Sequence, residues 1–371
     1  MTGGGARAAY QVGVLRALSE LLPKEVDNPF PIICGTSAGA INAAVMAADA
    51  ADFRRGVRRL MTVWKNFHVR QVYRADPPGV LRNSSRWIFN ALTGGAFSRM
   101  PVSLLDNSPL AALLAHYLDF PAIQRRIDAG ELTAFSVTCS GYSSGQSVTF
   151  YQGAPGLQPW QRARRIGTPM TIGLEHLLAS SALPFIFPPV HINREYFGDG
   201  SMRQIAPISP ALHLGADRVL VVGTGRQSAV DVARARSNVY PSVAQIAGHA
   251  LNSIFLDGLS VDLERLERIN RTLNLIPAEK LAEANLPLRP VKVLFISPSQ
   301  PIERIAARFV HELPATVRFI LRPTGALNRS GSNLVSYLLF EESFCRTLID
   351  LGYQDTVNRE KEVREFFAEK E

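Results

Sequence analysis

The chain has 371 residues, 46% of them hydrophobic, so it can bury one large core. No segment carries the ~20 uncharged apolar residues of a membrane span, and no signal peptide is visible. The net charge of +8 suits an anionic membrane surface, and without a nucleic-acid motif we expect no nucleic-acid partner. The cysteines lack disulfide and metal-ligand spacing, which predicts a reducing, cytoplasmic compartment and no metal site: Cys34, Cys139 and Cys345.

Three glycines, Gly3, Gly4 and Gly5, stand near the beginning of the chain, ahead of Arg7 and a helical apolar pattern over residues 11–22. A glycine run that opens a helix presents free backbone N–H groups, which suit an anion or an oxyanion. The alternative is a flexible terminus, which is common for terminal glycines. The run does not favour a phosphate-binding P-loop, because no Gly-Lys-Ser/Thr closes it.

A strand-like apolar run is followed by the pentapeptide Gly-Thr-Ser-Ala-Gly at residues 35–39 and then by a helical run at residues 40–51. This context is typical of a nucleophile elbow, in which the serine sits on a sharp turn from strand to helix. Gly35 and Gly39 leave room for that turn. The pattern predicts that Ser37 is a nucleophile for acyl transfer, next to the positive end of a helix dipole.

Residues 64–100 mix aromatic and cationic side chains with glycines and a Pro-Pro pair. Cationic side chains beside Trp and Phe suit a membrane interface, which favours a cap or lid over about residues 64–104. An ordinary insertion whose aromatics fill the core explains the pattern equally well. The side chains concerned are Trp64, Phe67, Arg70, Tyr73, Arg74, Arg82, Arg86, Trp87, Ile88, Phe89, Leu92, Phe97 and Arg99.

Strand-like and helical runs alternate along the chain, which predicts an α/β fold with a mostly parallel central sheet and helices on both faces. Strand-like runs occupy residues 31–34, 134–139, 147–151, 218–223 and 291–296, and further helical runs occupy residues 104–118, 173–180 and 251–275. We expect a main domain over residues 1–300 and a helical C-terminal region over residues 301–371.

Asp199 lies between Gly198 and Gly200, far from Ser37 in the sequence. An Asp between glycines is usually part of a tight turn, which is the simpler interpretation of this motif alone. A carboxylate between glycines can also approach another backbone closely and accept the proton of a serine hydroxyl. Asp199 is therefore a candidate general base for Ser37.

The glycine loop, the serine pentapeptide and the pair Asp199-Gly200 together resemble the patatin-like phospholipase family, in the same order and with the same wide separation. The resemblance covers about residues 2–225 and includes the apolar segment 179–189 ahead of Asp199. It implies a three-layer fold and a Ser37–Asp199 dyad without histidine. Such a dyad hydrolyses acyl esters of phospholipids or lysophospholipids through an acyl-enzyme, as phospholipases A and lysophospholipases do, and requires no metal or organic cofactor.

The resemblance also implies roles for the flanking residues. The oxyanion hole is assigned to the backbone N–H groups of Gly3, Gly4, Gly5 and Ala38. Supporting positions are Arg7, which either braces the loop or meets a phosphate, and Gly35, Gly39, Gly198 and Gly200.

Arginines cluster at residues 54–59 and 162–165. The simpler interpretation of each cluster is a solvated surface. For an enzyme that acts on lipids, attraction to anionic head groups is the functional interpretation. We accordingly expect a cytoplasmic protein that binds membranes peripherally.

Two other functions remain open. One is a Ser-His-Asp esterase acting on soluble esters, with His213, His249 or His311 as the third member. The other is a lipid-binding protein with a degenerate site. The family usually has a strand before the glycine loop and Gly after the Arg, whereas this sequence has only Met1 and Thr2 before the loop and Ala8 after Arg7. We therefore expect a less supported loop.

Overall fold

The computed structural model describes residues 1–77, 79, 85, 89, 103–226, 240–283, 288–328 and 331–368. The α-helices of this part are α1 (Ala9–Leu21), α2 (Ala38–Ala48), α3 (Phe53–Lys65), α4 (Ser108–Tyr117), α5 (Phe120–Asp128), α6 (Leu174–Ser180), α7 (Ser209–His213), α8 (Val243–Asn252), α9 (Gly258–Asn274), α10 (Ala278–Glu283), α11 (Ile302–Phe309), α12 (Ala315–Leu321), α13 (Ser332–Leu338), α14 (Glu342–Val357) and α15 (Glu360–Phe367). The strands are β1 (Ile32–Thr36), β2 (Ala134–Gly141), β3 (Ser147–Gly153), β4 (Trp160–Arg162), β5 (Arg165–Pro169), β6 (Val190–Ile192), β7 (Glu195–Asp199), β8 (Arg218–Val222) and β9 (Lys292–Ile296).

Strands β1 to β7 form one sheet in the order β4-β5-β3-β2-β7-β6, with β1 also paired to β2. The predicted α/β class with flanking helices is confirmed, but the sheet is mixed rather than mostly parallel. Only the pairs β1–β2 and β3–β5 are parallel; the other four pairs are antiparallel. The reason is local, because β2–β3, β4–β5 and β6–β7 are hairpins, and a short turn joins only antiparallel strands. Strands β8 and β9 form a separate parallel pair.

Strand β2 is buried along its whole length, and its alternate side chains pack into two different clusters. Phe135, Val137 and Cys139 belong to the main core, and α2 and α6 both pack against β2. Ala134 points the other way, into a small cluster with Leu214 just beyond α7. Both faces of the sheet are therefore covered at its centre.

Strands β1 and β7 meet end to end along the same edge of β2. β1 runs parallel to β2 and pairs Thr36 with Thr138, whereas β7 runs antiparallel and pairs Asp199 with Cys139. The carboxyl ends of β1 and β7 therefore lie next to each other, because they pair with consecutive residues of β2. This register brings together two segments that are 162 residues apart in sequence.

Met1 and Thr2 lie between the sheet and the β8–β9 pair. The Met1 ammonium donates to the carbonyl of Cys34 at 2.8 Å, and the Thr36 N–H donates to the carbonyl of Met1 at 3.2 Å. On the other side, the Thr2 N–H donates to the Val222 carbonyl at 3.2 Å. The expectation of a less supported glycine loop is wrong in this respect, because these two residues tie its beginning to strands on both sides.

The helices after residue 300 pack against the beginning of the chain. Helix α14 lies along α1, and the Tyr10 hydroxyl donates to Asp355 at 3.0 Å. The predicted helical character of this region is confirmed over its described residues. The domain boundary near residue 300 stays a prediction.

The predicted lid falls largely outside the described residues, including Arg82, Arg86, Trp87, Ile88, Leu92, Phe97 and Arg99. Three aromatics at its beginning are described, and all three are core side chains. Trp64 is buried and donates to Asn42 at 2.8 Å, and Phe67 packs against it. Tyr73 is buried and donates to the carbonyl of Leu338 at 3.0 Å. These three side chains lie in the core, and the lid stays a prediction for the rest of the segment.

Candidate active site

Ser37 occupies the sharp turn between β1 and α2. Its φ of 55° and ψ of −135° place a non-glycine residue in a strained region of backbone conformation. A Cβ at Gly35 would overlap the Cα of Ala40, so only glycine lets the strand and helix approach this closely. The backbone thus has the geometry of a nucleophile elbow, with the serine held by its neighbours in a conformation it would not adopt alone.

The hydroxyl of Ser37 donates a hydrogen bond to the carboxylate of Asp199. The Oγ–Oδ2 distance is 2.6 Å, and both residues are buried. The second carboxylate oxygen of Asp199 accepts from the Ser201 N–H at 2.9 Å, which fixes its orientation. This arrangement satisfies the geometric requirement for a serine nucleophile with an adjacent base.

Burial sets the proton affinity of Asp199. Desolvation raises the pKa of its carboxyl from 3.8 to about 6, although hydrogen bonds from Ser37 and Ser201 act in the opposite direction. Within the described part of the chain, no cationic side chain pairs with it. A carboxylate in this state is a stronger base than an exposed aspartate and remains ionised at neutral pH.

The two helix beginnings nearest to Ser37 supply backbone donors. Ala38 is the first residue of α2, and Gly5 is the first residue of the 3-10 helix Gly5–Ala8, so intrahelical bonding leaves both N–H groups free. Both line the same pocket as Ser37. Gly3 and Gly4 lie outside that lining in the described residues, and the carbonyl of Gly3 accepts from the hydroxyl of Thr224. Of the predicted oxyanion set, the structure therefore brings Gly5 and Ala38 to the pocket.

Arg7 is buried directly behind the glycine loop. Its guanidinium donates to Ser336 at 2.8 Å and to the side chains of Asn252 and Asn333. It also lies 4.0 Å from the centre of the Tyr337 ring. Of the two roles that the sequence left open, bracing the loop fits this geometry, because the buried guanidinium directs four hydrogen bonds to oxygens of Ser336, Asn252 and Asn333.

The remaining supporting glycines mark close approaches. A Cβ at Gly200 would overlap the carbonyl of Thr138, so glycine is required where the chain leaves β7 against β2. Gly39 faces the carbonyl of Thr2, and Gly198 faces the ring of Tyr142. These contacts surround the dyad without touching the carboxylate or the hydroxyl.

Ser180 is a site residue that the sequence reasoning missed. Its hydroxyl accepts from the Ser37 N–H at 2.9 Å and donates to the Thr138 carbonyl at 2.6 Å. It therefore ties the strained turn to the centre of β2. The one sequence signal for it is its place in the apolar segment 179–189 ahead of Asp199.

The histidines lie elsewhere. None of the seven makes a hydrogen bond with Ser37 or Asp199 in the part of the chain that the structure describes. His213 stacks on Trp160, His249 is exposed on α8, and His311 lies in a 3-10 helix far along the chain. The geometry gives no support to a Ser-His-Asp triad.

An apolar pocket of about 330 Å³ opens in front of Ser37. Its inner end is formed by Gly5, Ser37 and Ala38. Its walls are mainly aliphatic and aromatic, and they come from α2, α3, α4 and the segment after α6. The wall residues include Ile41, Val45, Leu60, Trp64, Leu114 and Phe187. Such a lining fits a hydrocarbon chain.

No helix within the described ranges is long and apolar enough to cross a membrane. No curated protein matches the chain. Among solved structures, VipD from Legionella pneumophila is similar with a TM-score of 0.31 at 12% identity, and the alignment covers 94% of this chain and 66% of that one. The chain thus spans just under two thirds of that structure.

The sequence also matches the family model of patatin-like phospholipases over residues 1–212. That is 212 of 371 residues, and it includes the glycine loop, Ser37 and Asp199. The chain therefore belongs to the patatin-like phospholipase family.

Proposed function

We propose that the protein is a lipid acyl hydrolase of the phospholipase A or lysophospholipase type. The observation that carries the proposal is the 2.6 Å hydrogen bond between the Ser37 hydroxyl and the buried carboxylate of Asp199. The apolar pocket in front of Ser37 supports an acyl chain as the bound group. Membership of the family agrees with this substrate class.

The proposed first half-reaction forms an acyl-serine. Asp199 accepts the hydroxyl proton as the Oγ of Ser37 attacks the ester carbonyl carbon, which becomes tetrahedral. The oxyanion is held by the N–H groups of Gly5 and Ala38, and each such donor is worth about 3 kcal/mol in the transition state. Collapse of the intermediate breaks the ester bond, and Asp199 returns its proton to the leaving alcohol.

The second half-reaction releases the fatty acid. Water loses a proton to Asp199 as it attacks the acyl-serine carbonyl, and the same two donors hold the second oxyanion. Breakdown returns the proton to the Oγ of Ser37. One base serves both steps, so the chain's own residues complete the cycle.

We also propose that the substrate is reached at an anionic membrane surface on the cytoplasmic side. The net charge of +8 supports this proposal, because basic side chains near a surface of anionic lipid each add attraction. Co-sedimentation with vesicles of phosphatidylcholine, with and without phosphatidylserine, tests this part separately from turnover. Binding that does not increase with anionic lipid would contradict it.

Fatty-acid release from lysophospholipid and from mixed anionic vesicles tests the chemistry. Native protein is expected to release fatty acid, and Ser37→Ala and Asp199→Asn are expected to abolish release. Ser343→Ala, which changes an exposed serine on α14, is the matched control and should retain native rates. Retention of full activity by Ser37→Ala would refute the proposal, and vesicle binding without any release by native protein would identify a degenerate lipid-binding site.

A further inference from the structure

The pocket in front of Ser37 is lined by one face of helix α2. Ser37 precedes the first turn of α2, and Ile41 and Val45 line the pocket at intervals of four residues. Arg55 and Arg59 line the pocket as well, and both bind Asp49, the residue that follows the last residue of α2. We therefore treat the pocket as a channel along α2 and take its length from the helix, about 17 Å for 11 residues with a rise of 1.5 Å each.

The two ends of this channel differ in polarity. At the inner end, Ser37 and Ala38 are buried. At the outer end, the side chains of Arg55, Arg58 and Arg59 are 53%, 68% and 35% exposed, so that this end reaches water. A hydrocarbon chain esterified to Ser37 would thus have its far carbons next to guanidinium groups.

Arg59 is fixed at the outer end. Its guanidinium donates to Asp49 at 2.6 Å and to the carbonyl of Tyr117 at the end of α4. Arg55 binds the other oxygen of Asp49 at 2.6 Å and 2.9 Å. The Asp49 carboxylate is only 1% exposed, so displacing Arg59 would remove one of two cations from a buried charge. An acyl chain long enough to reach the outer end therefore contacts a guanidinium that is costly to displace.

We propose that Arg59, held by Asp49 and Tyr117, sets the upper limit of acyl-chain length. The inference rests on the proposed hydrolysis of acyl esters at Ser37. Methylenes inside the channel lose contact with water, and methylenes beyond Arg59 do not, so the gain in transition-state binding stops there. An extended chain advances about 1.2 Å per bond, so the limit falls on the order of 14 carbons.

A series of esters with one leaving group and saturated acyl chains of increasing length tests the limit. For native protein, kcat/KM is expected to rise about fourfold per methylene, the kinetic equivalent of ~0.8 kcal/mol, and then to level off. In Arg59→Met the rise should continue into longer chains, each rate being compared with the same variant's rate on the butyrate ester. Arg55 still binds Asp49 in this variant, and a thermal melt checks that it is folded.

Arg58→Met is the matched control on the same helix. Arg58 also lines the channel, but it pairs with the exposed Asp52 rather than with Asp49. It should leave the length limit in place. An equal shift in both variants would overturn the proposal, because rim charge in general and not the held Arg59 would then set the limit.

Val45→Trp tests the path of the chain independently of the arginines. It should block the channel halfway along α2 and lower the limit, read as the acyl length at which kcat/KM levels off relative to the same variant's butyrate ester. An unchanged limit would overturn the proposal, since the chain would then not follow α2.

Calorimetric binding of free fatty acids of increasing length to native protein reports the same limit without turnover. Failure of the proposed hydrolysis gives a different result from failure of the length limit. In that case no ester, butyrate included, is cleaved in a Ser37-dependent reaction.

Discussion

Asp199 and Asp49 are both almost completely buried, yet their surroundings give them different uses. Among the described residues, Asp199 receives hydrogen bonds from Ser37 and Ser201 and has no cationic partner, whereas Asp49 is bound by Arg55 and Arg59. In the first case burial raises the pKa to about 6 and produces a base. In the second, two cations compensate the charge and join α2 to α3. Burial alone therefore does not distinguish the two carboxylates; among the described residues they differ in whether a cation is bound to them.

The largest expected effect separates the two aspartates by activity. Asp199→Asn removes the base and is expected to lower kcat/KM by about 10³-fold. Asp49→Asn leaves the dyad intact and should change kcat/KM by less than about threefold on a butyrate ester. Initial rates with both purified variants measure the contrast. Comparable losses in the two variants would contradict the assignment of Asp199 as base.

A second prediction concerns Asp49 after both of its arginine partners are removed. The double variant Arg55→Met/Arg59→Met leaves the buried charge uncompensated, and the free energy of unfolding at pH 7 should fall by about 3 kcal/mol.

Urea unfolding of native and double-variant protein at pH 7 measures this deficit. Arg58→Met/Lys65→Met removes two charges from the same helix and serves as the control. It should cost less than ~1 kcal/mol, because these charges are at the surface. An equal deficit in the control would show that loss of positive charge from the helix, and not loss of the partners of Asp49, destabilises the fold.

The pKa of Asp199 predicts the pH dependence of the reaction. The general base must be ionised, so kcat/KM on a neutral ester is expected to fall tenfold per unit below pH 6 and to be level from about pH 7 to 8. Rates measured after return to neutral pH check that the loss is reversible. An acid limb near pH 4 would indicate an exposed carboxylate instead of Asp199.

The smallest effect concerns Ser180, which supports the strained turn. Ser180→Ala leaves the Ser37 N–H buried without its acceptor, a loss of about 1–2 kcal/mol. We expect kcat to fall about tenfold while KM stays within twofold, because the acyl channel is unchanged. Ser181→Ala is the control, since that hydroxyl donates only to carbonyls of its own helix. Equal losses in kcat for both would remove the special role of Ser180.

The elbow at Ser37 could be predicted from sequence because its causes are local. A strand, small residues around the serine and a helix start all lie within a few residues, and the structure shows the strained φ that this pattern requires. The five predicted strands occur for the same reason, since continuous apolar runs of strand length mark them. The short strands β4 to β7 were not predicted, because their sequences lack such apolar runs.

The partnership of Ser37 with Asp199 was decided by the register of β1 and β7 on β2. From the Gly-Asp-Gly motif alone, a tight turn was the simpler interpretation of Asp199. The contact of Ser180 with the Ser37 N–H likewise depends on where α6 packs.

The arginines of α3 show the same division. Their sequence indicated a solvated or lipid-facing cluster. Only the fold shows that Arg55 and Arg59 bind the buried carboxylate of Asp49, near the outer end of the proposed acyl channel. The sequence by itself determined the chemical groups and the local turn that strains the serine, because these follow from neighbouring residues. The tertiary structure decided which charges meet and which remain unpaired, because such pairings depend on packing between segments far apart in the chain.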